Sequence, residues 1–170
     1  MLLGGVMDLV KSSEVFHFAE GRINAGKKAI IANHNLHSLY LLQREAELRT
    51  FFQLADLVEV DSIPLILWAR LVGRNSRRFH RCTYLDWRDE FWSLAEQKGW
   101  GVYFVGGAPG VAETAADKIR AEWPGIRMAT HHGYFDMAPG SAENAEVLES
   151  IEDFAPKILM VGMGMPRQEI

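Results

Sequence analysis

Short apolar runs alternate with longer amphipathic stretches along this chain, a pattern that predicts strands separated by helices. Val15, Phe16, Phe18, Ala19 and Ile23 fall near helical spacing within 12–26, with Ser12 or Ser13 as the cap. Residues 27–33 (KKAIIAN) read as a strand, and 36–52 as one helix with Leu36, Leu39, Tyr40 and Leu42 to one side. A short strand follows over 55–60 (ADLVEV), then a helix over 62–73 that Gly73 ends. A polar, basic connection over 75–86 leads to a helix over 88–100 and a strand over 101–107. Residues 108–125 form a helix opened by Pro109 and closed before Pro124; 126–136 start as a strand and end in a loop. A helix over 141–155 and a strand over 157–164 come last, and Pro166 then opens a further helical turn carrying Gln168 and Glu169. Strands separated by helices imply parallel βαβ units. The fold class is therefore α/β: a Rossmann-like, mostly parallel sheet with helices on both faces. No repeat or low-complexity linker divides the chain, so residues 1–170 read as a single domain.

Composition narrows the function classes. A length of 170 residues is enough for one substantial core, and a net charge of −4 argues against nucleic-acid binding driven by overall charge. The single Cys82 excludes an intramolecular disulfide and is compatible with a reducing cytoplasm. The apolar start has no basic residue before it and is interrupted by Asp8, unlike a signal peptide. The longest apolar run, IPLILWA, is broken by Arg70 and too short to cross a bilayer. No stretch has the pattern of a basic amphipathic helix. A protein that is soluble, or at most membrane-associated, is expected.

In an open α/β sheet, ligands bind beyond the carboxyl ends of the strands, and every predicted strand here ends in polar or glycine-rich residues. These are Asn33 to Asn35, Asp61-Ser62, Gly106 to Gly110, His131 to Asp136, and Gly162 to Glu169. The glycine turn Gly106, Gly107, Gly110 leaves backbone N–H groups and a helix start free to face a diphosphate, or is simply a tight strand–helix turn. It has neither the G-x-G-x-x-G spacing nor the Walker lysine, which sets a dehydrogenase-type Rossmann enzyme aside. Asp61 is either a helix cap or a general base on a hydroxyl. His131 and His132 lack a third ligand at metal-binding spacing and read as polar loop residues, or as a pair of which one touches substrate. Arg74, Arg77, Arg78 and Arg81 form a basic cluster suited to solvent or to a phosphate.

Three segments, ADLVEVDSIPLILWARLVG, GVYFVGGAPGVAETAADKIRAEWPGIRMATHHGYFD and PKILMVGMGMPRQEI, resemble the WecG/TagA/CpsF glycosyltransferases in order, spacing and wording. The resemblance runs from about Asn24 to the end of the chain. It implies an inverting transfer of a sugar (of N-acetylmannosamine, its uronic acid, or glucose type) from a UDP-sugar to a polyprenyl-diphosphate-linked saccharide. The setting implied is cell-surface polysaccharide biosynthesis, without metal or other cofactor, in a cytoplasmic protein peripheral to the inner face of the membrane. No nucleic-acid partner is implied, and a homo-oligomer is compatible with it.

By the same resemblance Asp61 falls on the catalytic Asp. Asn33 and Asn35 fall in the T-x-N segment at the substrate pocket, Arg81 on the Arg of R-x-x-G-x-D, and Gln168 on the Gln of P-[KR]-Q-E. Gly106, Gly107, Gly110, Gly162 and Gly164 lie near the nucleotide diphosphate. Asn33 replaces the family's Thr, Ser62 its Gly, and Tyr84 and Trp87 the Gly and Leu of R-x-x-G-x-D-L. These departures imply a reshaped sugar pocket, or an impaired member that binds UDP-sugar or serves as a scaffold. In the family a helix continues past the last motif into a C-terminal appendage that closes the site and reaches the membrane. The expectation is thus a truncated form that keeps the nucleotide-binding core and Asp61 but not the lid.

Overall fold

The computed structural model describes residues 4–170, so the first three residues of the apolar start lie outside the described residues. The helices are α1 (Ser12–Asn24), α2 (Leu36–Leu42), α3 (Ala46–Leu54), α4 (Ile63–Leu71), α5 (Tyr84–Lys98), α6 (Val111–Glu122) and α7 (Ala142–Phe154). The strands are β1 (Ile31–His34), β2 (Leu57–Val60), β3 (Gly101–Gly106), β4 (Arg127–His131) and β5 (Ile158–Gly162). Every strand pairing is parallel, as the α/β class requires. The strands form two sheets, β1-β2 and β4-β3-β5. Each sheet belongs to its own compact unit: one reaches Arg88 and includes Glu169–Ile170, and the other is Asp89–Gln168.

In the first unit β1 and β2 run in register from Ile31 beside Leu57 to His34 beside Val60. Val58, Val60, Leu39, Leu42, Leu48, Phe52, Leu65 and Ile66 form its core. The helix predicted over 36–52 is two helices, with a turn at residues 43–45. The reason is the core itself. Leu42 and Leu48 are six residues apart, which in one straight helix would turn them about 240° from each other. The turn, with Glu45 N–H bonded to Leu41 O at 2.8 Å, lets both enter one cluster. At α1 the cap is Lys11 rather than a serine, its N–H held by the Glu14 carboxylate at 2.8 Å.

In the second unit β3 is central and almost continuously buried, as a strand covered on both faces must be. The chain leaves β3 through α6 to β4, then crosses through α7 to β5 on the other side of β3. Right-handed crossovers in opposite directions place α6 and α7 on opposite faces. Tyr103 faces α7, hydrogen-bonded to Ser150 at 2.8 Å and edge-on to Phe154. Helix α6 begins at Val111, not at Pro109, because Gly110 takes the cap position with φ of 83°, where a side chain would be strained. Residues 165–169 form a turn and not the start of a helix; a single helical-type bond joins Gln168 N–H to Gly164 O at 3.2 Å, and one turn alone does not sustain a helix.

Candidate active site

In the first unit the ends of β1 and β2 gather Asn33, Asn35, Asp61 and Arg81. Asp61 N–H donates to His34 O at 2.9 Å, which continues the sheet by one residue and fixes the Asp61 backbone. The cap of α4 is Ser62, and Asp61 performs no capping. Its half-buried carboxylate accepts no hydrogen bond among the described residues, so its oxygens are available to an incoming hydroxyl. Ser62 has φ of −162°, extended backbone that any residue adopts, so replacement of the family's glycine costs nothing in conformation.

Asn35 is committed in part to structure. Its Oδ1 accepts from Ser38 N–H at 2.9 Å to cap α2, leaving the amide NH2 for other partners. Asn33 sits beside Glu59 in the register, half-buried. Arg81 extends β2 through a parallel bridge to Val60, and its Nε and Nη2 donate to Asp86, which completes an R-x-x-x-x-D pair. Asp86 raises the Arg81 pKa and orients the guanidinium. Tyr84 and Trp87, the two bulky departures, pack edge-on against each other with centroids 5.1 Å apart.

Two titratable groups here were not singled out from sequence. Glu59 lies two residues before Asp61, on the same strand face. Burial pushes its carboxyl up to about 7, with the Asp61 charge adding and the Cys82 thiol hydrogen bond opposing. A charged residue inside the buried run LVEV was the available signal. His34 is fully buried, stacked on Phe52 with centroids 3.9 Å apart, and bonded through Nδ1 to Ser38 Oγ at 2.8 Å. Its buried Nε2 has no protein partner, and desolvation lowers its pKa to about 4.

These two shifts oppose each other. The folded chain holds the Glu59 proton more tightly than the unfolded chain, so stability falls as pH rises from 4.5 to about 7. It holds the His34 proton less tightly, so stability falls as pH drops from 6.5 to about 4. Each slope is about 1.4 kcal/mol per pH unit where fully developed, or about 3 kcal/mol across its window. Between pH 4.5 and 6.5 the two cancel. Urea unfolding of Glu59→Gln in that window is expected to show stability rising with pH, and His34→Phe to show it falling. Variants that both track the wild type would contradict these environments.

In the second unit the connections from β3 diverge, and a crevice forms beyond the ends of β3 and β5, where such sheets bind ligands. It is a cleft of about 450 Å³ lined by Gly107, Gly133, Tyr134, Gly162, Met163, Gly164 and Arg167. Gly106 and Gly162 are paired across β3 and β5 so closely that a Cβ on Gly106 would lie 2.5 Å from Gly162 O. The Ala108 and Gly110 N–H groups make no backbone hydrogen bond among the described residues and precede α6, whose N-terminus favours an anion. Gln168 does not line this cleft; its Oε1 accepts from Gly164 N–H at 3.1 Å and holds the glycine turn. Arg167, its neighbour in the quoted motif, lines the cleft and is tethered by Nη2 to Phe135 O.

A smaller hollow of about 200 Å³ is lined by His131, His132, Tyr134, Phe135, Glu143 and Glu146. His131 Nδ1 donates to His132 O at 2.7 Å, and Tyr134 N–H donates to His132 Nδ1 at 3.3 Å. No group of three or more metal-ligating side chains stands together among the described residues. No helix of the described residues is long and apolar enough to cross a membrane.

Over 90 residues the chain is 34% identical to the N-acetylglucosaminyldiphosphoundecaprenol N-acetyl-beta-D-mannosaminyltransferase of Staphylococcus aureus (strain MRSA252) and 33% identical to that of strain NCTC 8325 / PS 47. The matched stretch is 53% of this chain and 34% of each relative, so the chain spans about a third of the length of these curated relatives. The family described as "Glycosyl transferase WecG/TagA/CpsF family" matches residues 1–170. The chain belongs to the WecG/TagA/CpsF family of glycosyl transferases.

Proposed function

We propose that this chain carries the catalytic domain of an inverting, metal-independent glycosyltransferase, with both compact units in one domain. It moves a sugar from a UDP-sugar to a polyprenyl-diphosphate-linked saccharide at the cytoplasmic face of the membrane. The observation that carries the reading is Asp61: a half-buried carboxylate at a strand end, with its backbone fixed and its oxygens unused. The relatives' printed name supplies the substrate class, an N-acetylmannosaminyl group passed to an N-acetylglucosaminyl diphosphoundecaprenol. Its "beta" is the configuration that inversion of an α-linked nucleotide sugar gives.

In this mechanism Asp61 takes the proton of the acceptor hydroxyl as that oxygen attacks the anomeric carbon. The bond from that carbon to the β-phosphate oxygen breaks, and UDP leaves with the bonding pair. The developing charge calls for preorganised donors; within the second unit the N–H groups of the Gly107–Gly110 turn and the Arg167 guanidinium are of the kind that suits a diphosphate. Gln168 holds Gly164 in place, Asn33 and the Asn35 amide contact the sugar, and Arg81 is held ready by Asp86. Of the departures at Asn33, Ser62 and Tyr84 that motivate the impaired-member reading, the extended backbone of Ser62 and the packing of Tyr84 on Trp87 favour an active enzyme.

Calorimetry with a panel of UDP-sugars, and with UDP alone, tests the donor half of this account. UDP is expected to bind wild type, and Arg167→Gln to weaken it about tenfold to a hundredfold, the worth of a charge-assisted hydrogen bond. Unchanged UDP affinity in that variant would remove Arg167 from the diphosphate site.

A further inference from the structure

Helix α4 is apolar on more than one side. It buries Leu65, Ile66 and Ala69. Leu67, Trp68 and Leu71, which share another face at i, i+1 and i+4 spacing, and Val72 just past the helix end are turned to solvent, Leu71 at 86% and Leu67 at 55% exposure. Single exposed leucines are ordinary, but a contiguous face of this kind marks an interaction surface. The sequence showed no amphipathic helix here because the apolar residues run all round; only burial separates the face used by the core from the face left over.

The loop after α4 supplies charge at the same end. Gly73 ends the helix, Arg74 N–H returns to Ala69 O at 2.9 Å, and buried Ser76 donates through Oγ to Ile66 O at 2.7 Å. The loop is therefore pinned to the helix. Arg70, Arg74, Arg77 and Arg78 are exposed, and none is ion-paired among the described residues. From Ser62 to Leu85 the sequence has no Asp or Glu, although the chain as a whole is acidic. Exposed Phe79 follows, with Lys11 Nζ 5.1 Å from its ring centroid.

We propose that the outer face of α4 and the arginine loop 74–78 lie on an anionic lipid bilayer surface. Apolar side chains flanked by unpaired arginines match the boundary between acyl chains and anionic headgroups, and Trp68 suits that depth. A second copy is the poorer occupant: a two-fold contact would set these arginines against their own counterparts. The proposal rests on the transferase reading in one respect, that a polyprenyl-linked acceptor stays in the membrane.

Cosedimentation with phosphatidylcholine vesicles, with and without phosphatidylglycerol, tests it. Wild type should bind only the phosphatidylglycerol vesicles, less as salt rises. Arg74→Gln/Arg78→Gln should weaken binding about twenty-fivefold, at about fivefold per arginine. Leu71→Gln should weaken it as well, while UDP affinity stays unchanged in both. Equal binding by wild type and both variants, no binding by wild type, or a wild-type dimer that Leu71→Gln dissociates would overturn the proposal. Vesicle binding that follows this pattern in a protein without UDP affinity would support the surface and defeat the transferase reading.

Discussion

Asp61→Asn is expected to lower kcat for sugar transfer by about 10²- to 10⁴-fold, the usual worth of a positioned general base. That is about 3–5 kcal/mol of barrier. The substitution keeps the shape of a half-buried side chain that caps no helix, so the fold and the affinity for UDP should be retained. A second readout comes from its neighbour. The Asp61 charge helps to hold the Glu59 carboxyl up at about 7, so removing it should move that titration downward. Loss of turnover together with a lower Glu59 pKa places the lost charge beside the strand end. Turnover lost through unfolding would show instead as a lower urea midpoint. Wild-type kcat in Asp61→Asn would rule out the base assignment.

Gly106→Ala is expected to destabilise the second unit by about 3 kcal/mol, the upper part of the usual range for overpacking. The added methyl would meet Gly162 O at 2.5 Å, Gly162 C at 2.8 Å and the Phe104 ring at 2.9 Å. Two of these atoms are backbone of the paired strand, so relief requires β3 and β5 to separate at the ends that frame the cleft. Gly110→Ala meets no atom within 4 Å and is strained only by its φ of 83°. Its cost should be smaller, about 1–2 kcal/mol. Urea unfolding of the two variants separates close approach from backbone strain, and equal losses would argue against the tight β3–β5 contact. UDP affinity should fall in Gly106→Ala even where the protein remains folded.

Much of this architecture was legible in the chain. Short β-branched runs between amphipathic stretches specified parallel βαβ units, and the helix over residues 141–155 and strands β2 to β5 lie where periodicity put them. The misreadings share a cause: local pattern does not contain tertiary demand. Residues 36–52 look like one helix because neither Gly nor Pro interrupts them, yet Leu42 and Leu48 must reach one core. Pro109 looks like a helix start, but the left-handed Gly110 delays it. Candidate site residues were legible as positions at strand ends rather than as contacts. Sequence could not show that Asn35 Oδ1 is spent on a cap, that Gln168 serves Gly164 while Arg167 lines the cleft, or that Asp86 engages Arg81. Glu59 and His34 acquire their shifted pKa values from burial, which depends on neighbours distant in sequence.

The central claim is that this chain transfers a sugar with inversion, using Asp61 as the base. The measurement that tests it most directly supplies UDP-N-acetylmannosamine and a lipid-linked N-acetylglucosaminyl diphosphate to the purified protein. UDP release and the anomeric configuration of the product are then followed together. The account predicts acceptor-dependent UDP release and a β-linked product with wild type, and neither with Asp61→Asn. A product of retained configuration, or transfer by Asp61→Asn at the wild-type rate, would contradict it.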